Sequence, residues 1–318
     1  MAGLYKKIVA VVAAALVAIV AVTARPAPRF AEESGALNVV CTIFPPYDFA
    51  RQIGQEDAQV SMLLKPGVES HSYDPTPADI IGVEQADLFI YIGGENDAWV
   101  EKMLASIDTS GMTILRLIDY VETIEVEHDH AGEAADERDA GDVEIDEHIW
   151  TSPRNAIQLT EAISQAMQRL DADNAALYAQ RAQDYEAELE ALDGRFTQLV
   201  EGAARTQIVF GDRFPFAYFA CDYGLTCYAA FDSCSSETEP SAQAIAFLID
   251  TVREDGIPAV FHIEQGDVRV AQIIAEETGA QVLELHSCHN LLKSELEAGE
   301  TYVSLMEKNL EALSIALS

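Results

Sequence analysis

Basic residues are scarce in this chain: 19 lysines and arginines stand against 54 aspartates and glutamates, for a formal net charge of −35. The deficit excludes nucleic acid and anionic lipid headgroups as partners, because a surface of one sign repels its like and gathers cations. Most of these carboxylates read as a solvated surface, so charge alone assigns no metal site. Histidine is also sparse, with seven in 318 residues. Two enzyme signatures are missing: there is no H-E-x-x-H phrase for a zinc hydrolase and no nucleophile elbow. Cysteine is limited to five residues. Cys41 lies in the apolar segment Leu37–Phe44 and reads as a free core thiol, while Cys221, Cys227, Cys234 and Cys288 lack the spacing of a four-cysteine zinc site. In an oxidising setting these four allow up to two disulfides, whose pairing the spacing leaves open.

Lys6 and Lys7 precede an apolar run from Ile8 to Val22, followed by Thr23-Ala24-Arg25-Pro26. A positive start, a short apolar stretch and small residues at its end make an export signal, with Val22-Thr23-Ala24 as cleavage context. The run is short of the roughly 20 residues that a comfortable span needs, although an uncleaved anchor stays open. No cysteine directly follows it, so no lipid attachment is read there. The expected organisation is a signal or anchor over 1–24, a Pro/Ala-rich tether over 25–36, an N-terminal lobe over 37–172, a linking helix over 173–204 and a C-terminal lobe over 205–318.

From Leu37 onward, short apolar runs alternate with helical patterns: strands over 37–44, 60–64, 88–93 and 113–117, with helices between them. Strands alternating with helices predict parallel βαβ units in a three-layer α/β lobe. Residues 122–145 break the rhythm and read as a mobile acidic loop carrying His128 and His130. Asn174 to about Ala204 has no internal proline and reads as one helix about 40 Å long at 1.5 Å per residue, a rigid spacer. The alternation then restarts, giving two α/β lobes joined by a long helix, with no repeat visible residue by residue.

Two histidines stand in turn-rich settings, His71 in Gly67-Val68-Glu69-Ser70-His71-Ser72-Tyr73-Asp74-Pro75-Thr76-Pro77 and His148 in Asp146-Glu147-His148-Ile149-Trp150-Thr151-Ser152-Pro153. Neutral imidazole is the commonest protein metal ligand, and carboxylates beside it supply harder partners. His71 follows a strand, at the kind of loop where α/β lobes bind ligands. In the second half, Glu264 and His286 end successive strands and are placed to meet at one lobe edge, with His262 a weaker candidate inside its strand. The His-Asp-His loop reads as a weak metal-capturing segment.

These phrases resemble the zinc/manganese substrate-binding proteins of ABC transporters. The first is similar to that family's G-x-(D/E)-x-H-x-(Y/F)-x-P-(T/S)-P and the second to its D-x-H-(V/I)-W-x-(S/D)-P. Val39–Tyr47 resembles its first strand, and Glu239-Pro240-Ser241 also fits. The resemblance implies two Rossmann-like lobes bridged by a rigid helix, with metal in the interlobe cleft. It implies His71 and His148 as N-lobe ligands and His286 at the last ligand position, where the family has an acid. The family's third histidine is replaced by Arg213, which ligates no metal at ordinary pH. Two options follow there: Asp212 substitutes, or Arg213 pairs with an acidic ligand. The implied metal site is His71, His148 and His286, with Glu264 or Asp212 as the fourth ligand, and the same scheme pairs Cys234 with Cys288.

The function so implied is an exported, monomeric receptor that captures Zn²⁺ and hands it to an ABC permease in the membrane, without covalent chemistry. Three imidazoles favour Zn²⁺ over Mn²⁺, which prefers more oxygen ligands. The alternatives are a Mn²⁺ receptor of the same family, a secreted zinc hydrolase with Glu264 as base, and a surface adhesin or metal buffer on the same fold.

Overall fold

The structure is a computed structural model and describes residues 35–68, 73–95, 97–126, 144–231 and 240–318. His71, His128, His130, Cys234, the export signal and the body of the acidic segment lie outside the described residues.

The first lobe is built on β1 (Leu37–Cys41), β2 (Ala58–Met62), β3 (Leu88–Tyr91) and β4 (Thr113–Arg116), all parallel, in the order β2-β1-β3-β4. β1 and β3 are buried at every residue, as expected of central parallel strands covered on both faces. Helices α1 (Phe44–Gly54), α2 (Pro77–Glu84) and α3 (Ala98–Leu104) make the crossovers. α1 begins at Phe44, and Pro45 and Pro46 fall in its first turn, where no backbone N–H is needed. α2 starts in a capping box: Thr76 Oγ1 accepts the Asp79 amide, and the Asp79 carboxylate accepts the Thr76 amide.

After β4 the chain forms a two-residue antiparallel ladder, β5 (Glu125–Val126) with β6 (Glu144–Ile145), at the ends of the acidic segment. The sequence pattern had not shown it. Two long helices follow, α4 (Pro153–Leu170), capped by the Ser152 hydroxyl, and α5 (Ala175–Glu201), a 27-residue linking helix. The second lobe contains β7 (Gln207–Phe210), β8 (Thr226–Ala229), β9 (Ala259–His262) and β10 (Gln281–Glu284), again all parallel, in the order β10-β9-β7-β8. Its helices are α6 (Ala217–Tyr223), α7 (Ala242–Asp255), α8 (Arg269–Thr278), α9 (Lys293–Ala298) and α10 (Tyr302–Ala316).

Counted from β7, the second sheet repeats the strand order of the first. The two lobes therefore share a topology that residue-level comparison does not reveal. In each sheet the order reverses between its first and third strands, the switch point where such sheets bind ligands beyond the strand C-termini. Both lobes lie in one compact unit, Ala36–Ser318, with one large apolar core shared between them and a smaller one in each lobe. Among the described residues, no helix is long and apolar enough to cross a membrane.

The linking helix is packed along its length rather than standing clear as a spacer. Tyr178, Ala182, Tyr185, Leu189, Leu192 and Phe196 form a buried stripe with alternating spacings of four and three, one face of the helix. The Arg181 guanidinium reaches the carbonyls of Ile53 and Gly54 and the Asp57 carboxylate, while Arg195 pairs with Glu307. A buried carboxylate, Asp48, accepts from the Tyr302 amide, Arg51 and Tyr185, joining α1, α5 and α10. Burial pushes its pKa up, so these donors are what keep it compatible with the core.

One expectation is corrected. Cys41, Cys221, Cys227 and Cys288 are all free thiols, so the expected bond between Cys288 and Cys234 is absent. Cys288 sits fully buried, its Sγ 3.8 Å from the His286 carbonyl. The pairing had been inferred from which loops border the lobe edges, and loop proximity does not fix where a side chain turns.

Candidate metal centre

His148 lies in the connection between β6 and α4, followed by one turn of 3₁₀ helix over Ile149–Thr151. It is 2% exposed. Asp146 Oδ1 accepts the His148 backbone amide at 2.8 Å and lies 2.9 Å from ring Nδ1. A carboxylate oxygen only accepts, so the ring donates from Nδ1 and carries its lone pair on Nε2. This is the carboxylate–histidine arrangement that orients a metal-ligating imidazole. Gly94, at φ +110°, lets the backbone pass beside Glu147, the residue preceding His148: a Cβ there would stand 2.6 Å from Glu147 Oε2. Only glycine suits both the left-handed φ and the close approach.

The segment is locked to the second lobe. The Trp150 indole N–H donates to the Ser287 carbonyl at 2.8 Å, and the Tyr302 hydroxyl donates to the Trp150 carbonyl at 2.7 Å. The Tyr218 hydroxyl donates to the Asp146 carbonyl at 2.6 Å. The loop after β10 also reaches the first lobe: the Asn290 amide donates to the carbonyls of Lys65 and Val68, and the Gly67 amide donates to the Leu291 carbonyl. At this junction a cavity is lined by Tyr73, Asp97, Trp99, Glu147, Trp150 and His289, among others. Asp97 is tied down by the amides of Ile92 and Gly93 at the end of β3.

The expected second-lobe residues meet: Ser287 satisfies the Glu264 carboxylate, while the buried His286 Nε2 has no hydrogen-bond partner among the described residues. Glu264 lies beyond the C-terminal end of β9 and His286 beyond that of β10, with Glu264 Oε2 and His286 Nδ1 3.8 Å apart. Both carboxylate oxygens of Glu264 accept from Ser287, from its amide at 2.6 Å and its hydroxyl at 2.5 Å. His286 Nδ1 accepts the Cys288 amide at 2.9 Å, which places the ring proton on Nε2, 3.7 Å from Glu295 Oε1. Burial raises the pKa of Glu264 and acts to lower that of His286, an effect that the nearby Glu264 and Glu295 carboxylates oppose. Asp212, at the end of β7, accepts the amides of Arg213 and Ile263 and packs against Gly266. His262 Nδ1 lies 2.9 Å from the Ile263 carbonyl.

Among the described residues, no group of three or more His, Cys, Asp or Glu side chains is arranged to hold a metal ion. What the structure does bring together is His148 and His289, whose ring centroids are 5.8 Å apart across the lobe junction. His289 had not been singled out from sequence. The one signal for it was the His-x-x-His spacing with His286, which means little in a loop.

Known proteins place this arrangement. The family described as ZnuA, zinc-uptake complex component A, periplasmic, matches residues 39–316. The zinc-binding lipoprotein AdcA of Streptococcus pneumoniae serotype 4 is 31% identical over 288 residues, covering 89% of this chain and 56% of AdcA. The chain thus spans little more than half the length of that relative. The high-affinity zinc uptake system protein ZnuA of Bacillus subtilis strain 168 is 30% identical over 284 residues, with 88% of each chain covered. Among solved structures, the Zn(II)-bound ZnuA-like domain of Streptococcus pneumoniae AdcA superposes with a TM-score of 0.73 at 29% identity, covering 89% of this chain and 99% of that one. The metal-dependent lipoprotein YcdH of Bacillus subtilis gives 0.75 at 28% identity, with 89% and 100% covered. With two like-wound parallel lobes, an anchored histidine at their junction and a match across nearly the whole described chain, this protein belongs to the ZnuA family.

Proposed function

We propose that the protein is a zinc receptor working outside the cytoplasmic membrane, which takes Zn²⁺ into the cleft between its lobes and passes it to an ABC permease. The observation that carries this reading is His148. Its Nδ1 is held by Asp146, its Nε2 is left as a lone-pair donor, and its segment is hydrogen-bonded to the opposite lobe. Zinc is cargo here, not a catalytic group, and no substrate other than the ion is assigned. His71, in the loop after β2, is the second first-lobe ligand in this proposal. An imidazole-rich site selects Zn²⁺ over Mn²⁺.

Competition titration of the metal-free protein tests it. Zn²⁺ should bind more tightly than Mn²⁺ at neutral pH, and His71→Ala and His148→Ala should each weaken zinc by at least about 100-fold, since each removes a whole ligand. Tighter Mn²⁺ binding, or unchanged zinc affinity in the His148 variant, would sink the assignment.

A further inference from the structure

We infer that α6 of the second lobe positions the first-lobe imidazole: Tyr218 and Asp222 hold the two ends of the loop Asp146–Ser152, which carries His148. The inference rests on the zinc-receptor reading and adds to it two positioning residues that act on the ion only through His148.

Tyr218 and Asp222 stand four positions apart in α6, so they share one face of the helix. The Tyr218 hydroxyl donates to the Asp146 carbonyl at 2.6 Å and accepts the Ile124 amide at 3.2 Å. At the other end of the loop the Ser152 hydroxyl donates to Asp222 Oδ2. Both points of attachment on the loop are buried. Between them the loop is tied to itself. The Thr151 hydroxyl and amide donate to the His148 carbonyl at 2.8 and 3.1 Å, and the Asn155 side-chain amide donates to the Ile149 carbonyl at 3.0 Å. A loop braced in this way moves as one piece. A shift at either end is passed to His148 and to the Asp146 carboxylate that fixes its tautomer.

α6 is a fixed reference because other residues on it are anchored to the linking helix. Phe219 and Tyr223 pack on Phe196 with ring centroids 4.9 and 5.5 Å away, and the Tyr223 hydroxyl donates to Asp193 Oδ1 at 2.8 Å. Arg154 of α4 closes the corner. Its Nε donates to Asp193 Oδ1 at 2.9 Å, its Nη1 donates to the Asp222 carbonyl at 3.1 Å, and its guanidinium lies 5.2 Å over the Tyr223 ring. The pose of the first-lobe ligand is therefore set by a second-lobe helix seated on the linking helix, and any movement of α6 is felt at His148.

The test uses the full metal-free chain with Zn²⁺ alone as probe. Tyr218→Phe and Asp222→Ala should each weaken zinc about 10-fold in a chelator competition, the lower end of what losing a partner outside the ligands costs. Asp222→Asn keeps an oxygen that accepts the Ser152 hydroxyl and loses only an exposed ion pair with Arg154 at 3.8 Å, so it should bind zinc within about twofold of the unmodified protein. Leu189→Ala serves as the comparison for lost stability alone and should bind zinc as the unmodified protein does. In nitrogen-15 spectra of the metal-free chain, His148 should show one tautomer, protonated on Nδ1, and Tyr218→Phe should turn it into a mixture of two, which lost stability alone does not produce. Unchanged zinc affinity in Tyr218→Phe and Asp222→Ala, with the His148 pattern intact, overturns the inference and leaves the receptor reading standing. Equal losses in Asp222→Asn and Asp222→Ala would remove Asp222 from the role. If the unmodified protein binds no zinc, the receptor reading falls, and the His148 tautomers in Tyr218→Phe still decide whether α6 positions the ring. Should Tyr218→Phe fail to fold, the two Asp222 variants decide.

Discussion

Asp146 determines which nitrogen of His148 can meet a metal, because a carboxylate against Nδ1 leaves the lone pair on Nε2. Asp146→Ala should leave His148 in place as a side chain yet weaken zinc about 10–100-fold, the usual effect of losing such an orienting partner. Competition titration measures it, and unchanged affinity would mean that the Asp146 contact is only structural. Trp150 does a separate job. Trp150→Phe keeps most of the apolar volume but removes the donor to the Ser287 carbonyl. The buried carbonyl left without its partner should lower stability by about 1–3 kcal/mol in urea titration. The His148 phrase was legible from sequence as a turn-rich, constrained setting, and the structure shows it buried and held by Asp146. Glu264 and His286 were legible only as neighbours: their meeting at 3.8 Å follows from two adjacent strands ending together. That Ser287 would take up both Glu264 oxygens was not readable, since it depends on how one loop turns.

The linking helix tells the same story at the scale of an element. Its length was readable from the absence of proline, but its role as a packed beam depends on the stripe from Tyr178 to Phe196 meeting other helices. Leu189 is fully buried in that stripe. Leu189→Ala should cost about 2–5 kcal/mol, seen as a lower urea midpoint with little change in zinc affinity once folded. The corner before the helix carries a pH dependence. The Asn174 side-chain amide, helped by the Tyr178 hydroxyl and the Asn174 backbone amide, holds the Asp171 carboxyl below the usual range. A carboxylate with a depressed folded pKa contributes stability above its unfolded pKa and loses it as pH falls through the folded value. Thermal melts of Asp171→Asn should therefore decline less steeply than those of the unmodified protein between about pH 5 and pH 2. Parallel curves would remove Asp171 from the acid transition.

For the whole molecule, a bound ion adds to stability. An ion bound only by the folded form stabilises it, by about 4 kcal/mol at a thousandfold excess over Kd, and so raises the melting temperature with its concentration. Zinc should therefore stabilise the protein in calorimetry, and the His148→Ala variant should lose most of that gain; equal gains would place the ion elsewhere. Sequence by itself determined the alternation of strands and helices, the two-lobed plan, the long helix and the first-lobe histidine phrases. Each of these is written in local periodicity or in a short motif, which chain stiffness and burial convert directly into structure. Only the tertiary structure decided that the lobes repeat one strand order, that Cys288 is a free buried thiol, and that His289 rather than His286 faces His148. His148 and His289 are 141 positions apart (289 − 148), and what sets them face to face is the packing of Trp150 and the hydrogen bonds of the crossing loop. No local pattern encodes a contact made by two lobes closing on each other.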